Sequence, residues 1–270
     1  MRGVRAAICA GLKRPQKRPQ RPTPEQTILP ALEIFHERHF INPNTLKENV
    51  ASAFITFEGI DGSGKSTQMR MLAGDLRMRG LEVVVTREPG GTSLGDRLRA
   101  ALLDTQEQVD PLAELLVFAA DRAQHVRTLL HPALASGHIV LSDRYADATV
   151  AYQGAGRGFA PEVIREVVAL ATGGLQPDLT LIFDVSVAAG LERARQRAQR
   201  GRQIDRLDTE DAAFHTRVRN AYLEIAAAAP DRVRIIDATG SVEETHARTM
   251  EVVIPFIESK VQGPKSKVEE

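Results

Sequence analysis

Gly59, Gly64, Lys65 and Ser66 stand at the spacing G-x-x-x-x-G-K-[S/T], the pattern of a loop that wraps phosphate. Glycines let the backbone approach an anion with no Cβ in the way. Consecutive N–H groups and the N-terminus of a following helix then point at phosphate oxygens. Lys65 is placed to reach the β- and γ-phosphates of ATP, and the Ser66 hydroxyl to ligate Mg2+. Ile60, Asp61, Gly62, Ser63 and Thr67 complete the cradle. The alternative is a chance Gly-rich turn, and the flanks oppose it. Phe54-Ile55-Thr56-Phe57 is apolar and β-prone, and Thr67 to Ala73 lacks Gly and Pro, so a buried strand enters the loop and a helix leaves it.

Three further clusters carry charge. Thr86-Arg87-Glu88-Pro89-Gly90-Gly91-Thr92 reads as a turn, yet Arg87 at a strand's carboxyl end faces the phosphate loop and suits a bidentate phosphate contact. In Ser142-Asp143-Arg144-Tyr145, Asp143 can hold Mg2+ directly or through water, and Arg144 can clamp a second phosphate. The bland reading of that pair is a surface ion pair of little energetic weight. The run Arg193, Arg195, Arg197, Arg200, Arg202 and Arg206 is either a solvated face or a cationic lid that closes over ATP. Phe118 and Arg122 share a helix face at i, i+4; they could stack on a base and hydrogen-bond its carbonyl, although a helical Phe is more often core.

The elements that must position these residues alternate. Strands are expected at Phe54–Phe57, Leu81–Thr86, His138–Leu141, Leu179–Phe183 and Val233–Ile236. Helices are expected at Gln68–Arg79, Leu94–Leu103, Pro111–Leu130, Ala146–Tyr152, Pro161–Thr172, Val187–Ala198, Asp211–Ala229 and Val242–Glu258. Gly80 is a plausible helix stop, and Asp110 with Pro111 forms a helix start. Strands alternating with helices predict an α/β fold, a five-stranded parallel sheet covered on both faces. Ligands in such sheets bind at the carboxyl ends of strands, where the charged clusters fall.

The 270 residues, 43% hydrophobic, suffice for a full core, and the net formal charge is +0. That balance gives no case for nucleic acid or an acidic membrane as partner, and no apolar run of ~18 residues suggests a membrane span. The single cysteine, Cys9, fits a reducing, cytoplasmic setting. Residues 1–50 include the basic, Pro-rich stretch Lys13 to Pro22 and are expected to be disordered. They read as a tail or a misassigned start; the run Ala6 to Leu12 is too brief for a convincing export signal. A catalytic domain is expected over 51–260 and a solvated tail over 261–270.

F-E-G-I-D-G-S-G-K-S-T, T-R-E-P-G-G-T, A-A-D-R-A-Q-H, S-D-R-Y, A-Y-Q-G-A-G-R-G, P-D-L-T-L-I-F-D-V and D-R-L-D follow one another in this order. Together they resemble the thymidylate kinase family, over about residues 53 to 256. The resemblance implies a nucleoside-monophosphate kinase fold with a short arginine-rich lid, ATP as co-substrate with Mg2+, dTMP as acceptor, and a homodimer. It implies that Asp61 binds the dTMP 3′-hydroxyl and that Arg87 and Arg144 hold its phosphate. It implies a cis peptide before Pro89, Phe118 stacked on thymine, and Arg122 donating to O4. Thr149 and Gln153 would line the nucleotide, Tyr152 would crowd the 2′ position, and Leu98 and Leu102 would wall the base. Some members carry a basic residue in the loop where this chain has Gly62; those with Gly there use lid arginines, which makes Arg197 the leading catalytic cation, with Arg200 and Arg202 next.

Two competing functions stand beside this one. A deoxynucleoside (thymidine) kinase would need a carboxylate base at the sugar 5′-hydroxyl, for which Glu58 is the available residue. A nucleotide-switch binding protein would show slow hydrolysis without acceptor phosphorylation.

Overall fold

A computed structural model describes residues 52–105, 107–199 and 205–261. The basic Pro-rich segment, all but the first residue of the expected C-terminal tail, and Arg200 and Arg202 lie outside the described residues.

Five parallel strands form one sheet in the order β2-β3-β1-β4-β5: β1 Ala53–Glu58, β2 Val83–Arg87, β3 Ile139–Asp143, β4 Leu179–Asp184 and β5 Val233–Asp237. β1 is central and wholly buried, as its apolar run requires of a strand covered on both faces. Phe57 pairs with Asp143 on β3, and Asp143 with Arg87 on β2. That register brings the ends of three strands level, which is why clusters far apart in sequence converge. The chain order reverses about β1, whose neighbours are β3 and β4, so a crevice opens outside its carboxyl end. Phe57 stacks on Phe183 across β1 and β4, with ring centres 5.6 Å apart, and Phe54 meets the edge of Tyr145 at 4.9 Å.

The helices are set by local chemistry. α1 Lys65–Met78 starts at Gly64, whose φ of 96° is left-handed, and stops before Gly80. α2 Ser93–Leu103 is capped by the Thr92 hydroxyl, which accepts from Gly95 N at 2.9 Å. Asp110 accepts from Leu112 N and Ala113 N to open α3 Pro111–His125. Asp211 caps the later helix Ala212–Ala228 in the same way, and Pro161–Thr172 ends at left-handed Gly173.

Two segments differ from expectation. The single helix expected over Pro111–Leu130 widens into π-type turns at Val126–Leu130 and resumes as α4 His131–Ala135. Pro132 has no N–H for the Thr128 carbonyl and its ring would crowd that oxygen, so the wider turn accommodates it. α5 covers only Ala146–Thr149, and wide turns then run from Val150 to Gly156. They carry Tyr152 and Gln153 beside the crevice, a place where such turns commonly re-aim side chains. The remaining helices are α6 Pro161–Thr172, α7 Val187–Gln199, α8 Ala212–Ala228 and α9 Val242–Val261, with a short 3-10 turn at Leu207–Thr209.

Candidate active site

A cavity of about 580 Å3 opens at the carboxyl ends of β1, β2 and β3. Asp61, Gly62, Gly64, Lys65 and Ser66 form one wall. Lys65 Nζ donates to the carbonyls of Gly59 and Ile60 at 3.1 Å each, so its ammonium is folded over the loop it would share with a phosphate. Burial and the nearby Arg144 charge pull its pKa down, while Asp61 and Asp143 oppose them. Gly59 and Gly62 are required residues. A Cβ on Gly59 would sit 2.5 Å from the Phe183 carbonyl oxygen, and one on Gly62 1.9 Å from that of Gly190. Gly190 lies in α7, and a Cβ there would in turn meet Asp61 O at 2.8 Å. The phosphate loop and α7 therefore touch backbone to backbone, and no side chain, basic or otherwise, fits at position 62 in this arrangement.

Ser66 Oγ donates to Asp143 Oδ2 at 2.5 Å. A hydroxyl and a carboxylate side by side at a helix N-terminus are hard oxygen donors suited to Mg2+, which takes few protein ligands and keeps waters and substrate phosphates. Among the described residues no cluster of three or more His, Cys, Asp or Glu could hold a metal alone.

Arg144 is the hub of the opposite wall. Its φ of 73° is left-handed, a conformation costing a side chain of this kind of order 1–3 kcal/mol and found at functional sites. Nη2 donates to Asp61 Oδ1 at 2.9 Å and Tyr152 Oη at 2.8 Å, Nη1 to Tyr222 Oη at 3.3 Å, and the guanidinium lies 4.5 Å from the centre of the Tyr152 ring. Tyr152 Oη donates to Asp61 Oδ2 at 3.0 Å. Desolvation alone would raise the Asp61 carboxyl, but Arg144 and Lys65 outweigh it and hold Asp61 below the usual carboxylate range. Asp61 thus stays ionised between the loop and Arg144.

The Glu88–Pro89 peptide is cis, as expected. Glu88 accepts from Arg122 Nε and pairs with His125 Nδ1, both at 2.8 Å. Arg122 is 2% exposed and also donates to Thr149 Oγ1 and the Tyr145 carbonyl. Phe118, Arg122, Thr149, Tyr152 and Gln153 all line the cavity. Arg87 reaches it from the end of β2 while paired to Asp96 at 3.2 Å.

Among the run of arginines the structure discriminates. Arg193 donates to the Ala238 carbonyl at 3.0 Å and ties α7 to the sheet. Arg195 is largely exposed beside Glu192. Arg197 lines the cavity, and its Nε is buried without a hydrogen-bond partner among the described residues. Arg206 turns away from it to Glu114.

Arg99, which the sequence did not single out, also lines the cavity and donates to the Pro89 carbonyl at 3.1 Å. The available signal was its place on α2, whose start follows the β2 turn. Leu103 lines the cavity, whereas Leu98 and Leu102 do not border it. Glu58 is not placed to act as a base. It is fully buried outside the cavity lining, accepts from Tyr145 N and Tyr222 Oη, and burial followed by the Asp147 charge pushes it up to about 8.

Sheet order, glycine-rich loop and a second cationic wall define a P-loop nucleotide-binding protein with room for a second anionic ligand. Residues 57–249 match the family model for thymidylate kinase. The chain is 51% identical over 195 residues to a thymidylate kinase of Citrifermentans bemidjiense, covering 71% of this chain and 87% of that one. It is 49% identical over 207 residues to one from Cereibacter sphaeroides, covering 76% and 95%. A crystal structure of thymidylate kinase from Ehrlichia chaffeensis matches with a TM-score of 0.61 at 35% identity, covering 76% of this chain and 99% of that one. The chain belongs to the thymidylate kinase family.

Proposed function

We propose that the protein transfers the ATP γ-phosphoryl group to the 5′-phosphate of dTMP, giving dTDP and ADP. The observation that carries this reading is one cavity joining the phosphate loop to Arg87, Arg99 and Arg144 and to the Phe118–Arg122 pocket, in a member of the thymidylate kinase family. A second ligand bearing its own phosphate is what a second arginine wall recognises. The acceptor phosphate is already a nucleophile, so no strong base is needed, and Glu58 is not available as one. Catalysis is then positioning and charge neutralisation.

In this reading Gly59 to Thr67 hold the triphosphate, and Lys65 neutralises its β- and γ-oxygens. Arg87, Arg99 and Arg144 grip the dTMP phosphate, and Asp61, kept ionised, accepts the 3′-hydroxyl. Phe118 stacks on the base; Arg122, Thr149 and Gln153 read its polar edge; Tyr152 closes the 2′ side. Arg197 faces the transferring group from α7. Ser66 and Asp143 would hold Mg2+, which when bound supplies charge neutralisation at the phosphates.

A second copy of this chain would cover the face where Leu116 and Leu170 are 52% and 80% exposed beside Ala119, Ala120 and Ala123; mass measured in solution tests it. Among the described residues no helix is long and apolar enough to cross a membrane. A coupled ADP-release assay across the deoxynucleoside monophosphates tests the main reading. Turnover of thymidine with none of dTMP would overturn it in favour of a nucleoside kinase, and slow hydrolysis indifferent to acceptor would favour a nucleotide switch.

A further inference from the structure

We propose that Glu114 is a positioning residue that decides which pyrimidine the pocket accepts, by fixing the direction of the Gln153 side-chain amide. The inference rests on the dTMP kinase reading and adds the device that selects the base.

Glu114, in the first turn of α3, is 0% exposed. Its Oε1 accepts from Gln153 Nε2 at 2.8 Å and Arg157 Nε at 3.1 Å; its Oε2 accepts from Arg157 Nη2 at 3.0 Å and from Arg206 Nη2. Two guanidinium groups compensate the buried charge. They are held in turn: Arg157 pairs with Glu210 at 2.7 Å and lies over the Phe214 ring at 4.8 Å, while Arg206 Nε donates to the Leu102 carbonyl. Burial raises the Glu114 carboxyl, but the bonds from Arg157, Arg206 and Gln153 outweigh it and lower its pKa overall.

An ionised carboxylate only accepts hydrogen bonds. The ends of a glutamine amide are assigned from their partners, and here the partner leaves one choice. Turned over, Gln153 would set its carbonyl oxygen against the Glu114 carboxylate with no proton between them. The amide therefore spends one N–H on Glu114. Its Oε1, which accepts from no donor among the described residues, and its second N–H remain for the cavity that Gln153 lines with Phe118 and Thr149.

An acceptor next to a donor complements an imide edge, a ring N–H beside a carbonyl. Thymine and uracil carry that edge. Cytosine has a bare ring nitrogen there, which would face the Gln153 oxygen acceptor to acceptor. A mismatched pair of this kind is worth about tenfold to a hundredfold in discrimination. Gln153 would read the base, and Glu114 would choose what it reads.

The test compares kcat/KM for dTMP, dUMP and dCMP in the wild type, Glu114→Gln, Glu114→Asp, Gln153→Leu and the Glu114→Gln, Gln153→Leu double variant. A carboxamide at 114 can present its own N–H to Gln153 and let that amide turn over. Glu114→Gln is expected to raise KM for dTMP with little change in KM for ATP. The dTMP-to-dCMP ratio should fall about tenfold or more. Glu114→Asp, still acceptor-only, should keep the ratio even where overall activity falls. With Leu at 153, Glu114→Gln should no longer alter the ratio. Equal losses toward dTMP and dCMP in Glu114→Gln, or a ratio change that persists without Gln153, overturn the proposal. If Glu114→Gln does not fold, amide NMR of the wild type decides. One Gln153 Nε2 proton that exchanges with solvent far more slowly than the other is expected, and fast exchange of both protons overturns the idea. A wild-type protein that turns over no deoxynucleoside monophosphate would instead sink the kinase reading itself.

Discussion

Gly62→Ala is expected to disable catalysis by moving α7. Position 62 has a φ of 80°, so any alanine there carries a left-handed cost of about 1–2 kcal/mol. The larger effect is steric. The new Cβ would lie 1.9 Å from Gly190 O and 2.9 Å from Gly190 Cα, against the 3.4 Å at which ordinary contact begins. Both sides of this contact are backbone, so no side chain can swing away. The loop or α7 must retreat by about 1.5 Å, the shortfall in that contact. Arg197 stands seven residues beyond Gly190, about 10 Å along the helix, and moves with it. A misplacement of about 1 Å can cost 10²-fold in rate, so kcat should fall by that order while dTMP affinity is nearly kept. Gly64→Ala is the control for melting. Its φ is 96° but its Cβ would meet nothing within 4 Å, so in the ligand-free protein it carries strain without collision. Gly62→Ala should therefore melt lower than Gly64→Ala. Wild-type kcat in Gly62→Ala, with melting equal to that of Gly64→Ala, would refute the coupling between loop and α7.

Four further outcomes are expected. Arg197→Ala should lower kcat by about 10²–10³-fold at nearly unchanged dTMP affinity; an unchanged kcat in steady-state assays would make the arginine a mere surface cation. Phe118→Ala should cost about tenfold to a hundredfold in kcat/KM for dTMP, from a stacking contribution of ~1–3 kcal/mol. Arg122→Ala should show the same preference for dTMP and also lower the melting temperature, because it strands buried Glu88 at a cost of about 3–5 kcal/mol; equal KM effects on ATP and dTMP would count against a base pocket. Glu58, lifted from 4.5 to about 8, binds a proton in the folded state that the unfolded chain has released. Its contribution to stability is complete below pH 4.5 and is lost as pH rises through about 8. Glu58→Gln, which cannot ionise, should give a flatter melting curve across that interval, and curves parallel to the wild type would show that Glu58 does not titrate there.

The phosphate loop, Arg87, Asp143 and Arg144 were legible in the chain because they sit within a few residues of strand ends, and strand ends are marked by local apolar runs and turn residues. The helix start at Asp110 was legible for the same reason: a cap acts on residues two and three positions away. The sequence also offered Glu58 as a base, since it directly precedes the loop, but not that Tyr145 N and Tyr222 Oη would enclose it. Arg99 was hidden because its role depends on which face of α2 turns to the cavity. The two stretches of widened helix turn were hidden because residue spacing marks a helix but not a local change of pitch. Glu114 looked like one more polar residue in a first helical turn; its partners come from two later parts of the chain, Gln153 and Arg157 from one and Arg206 from the other. The contact between Gly62 and Gly190 was invisible too, since a glycine records that no side chain is present but not which backbone has taken the space. Spacing along the chain fixes hydrogen bonds that close within a turn or two, whereas these contacts form only after the sheet order and helix packing have brought distant backbone together.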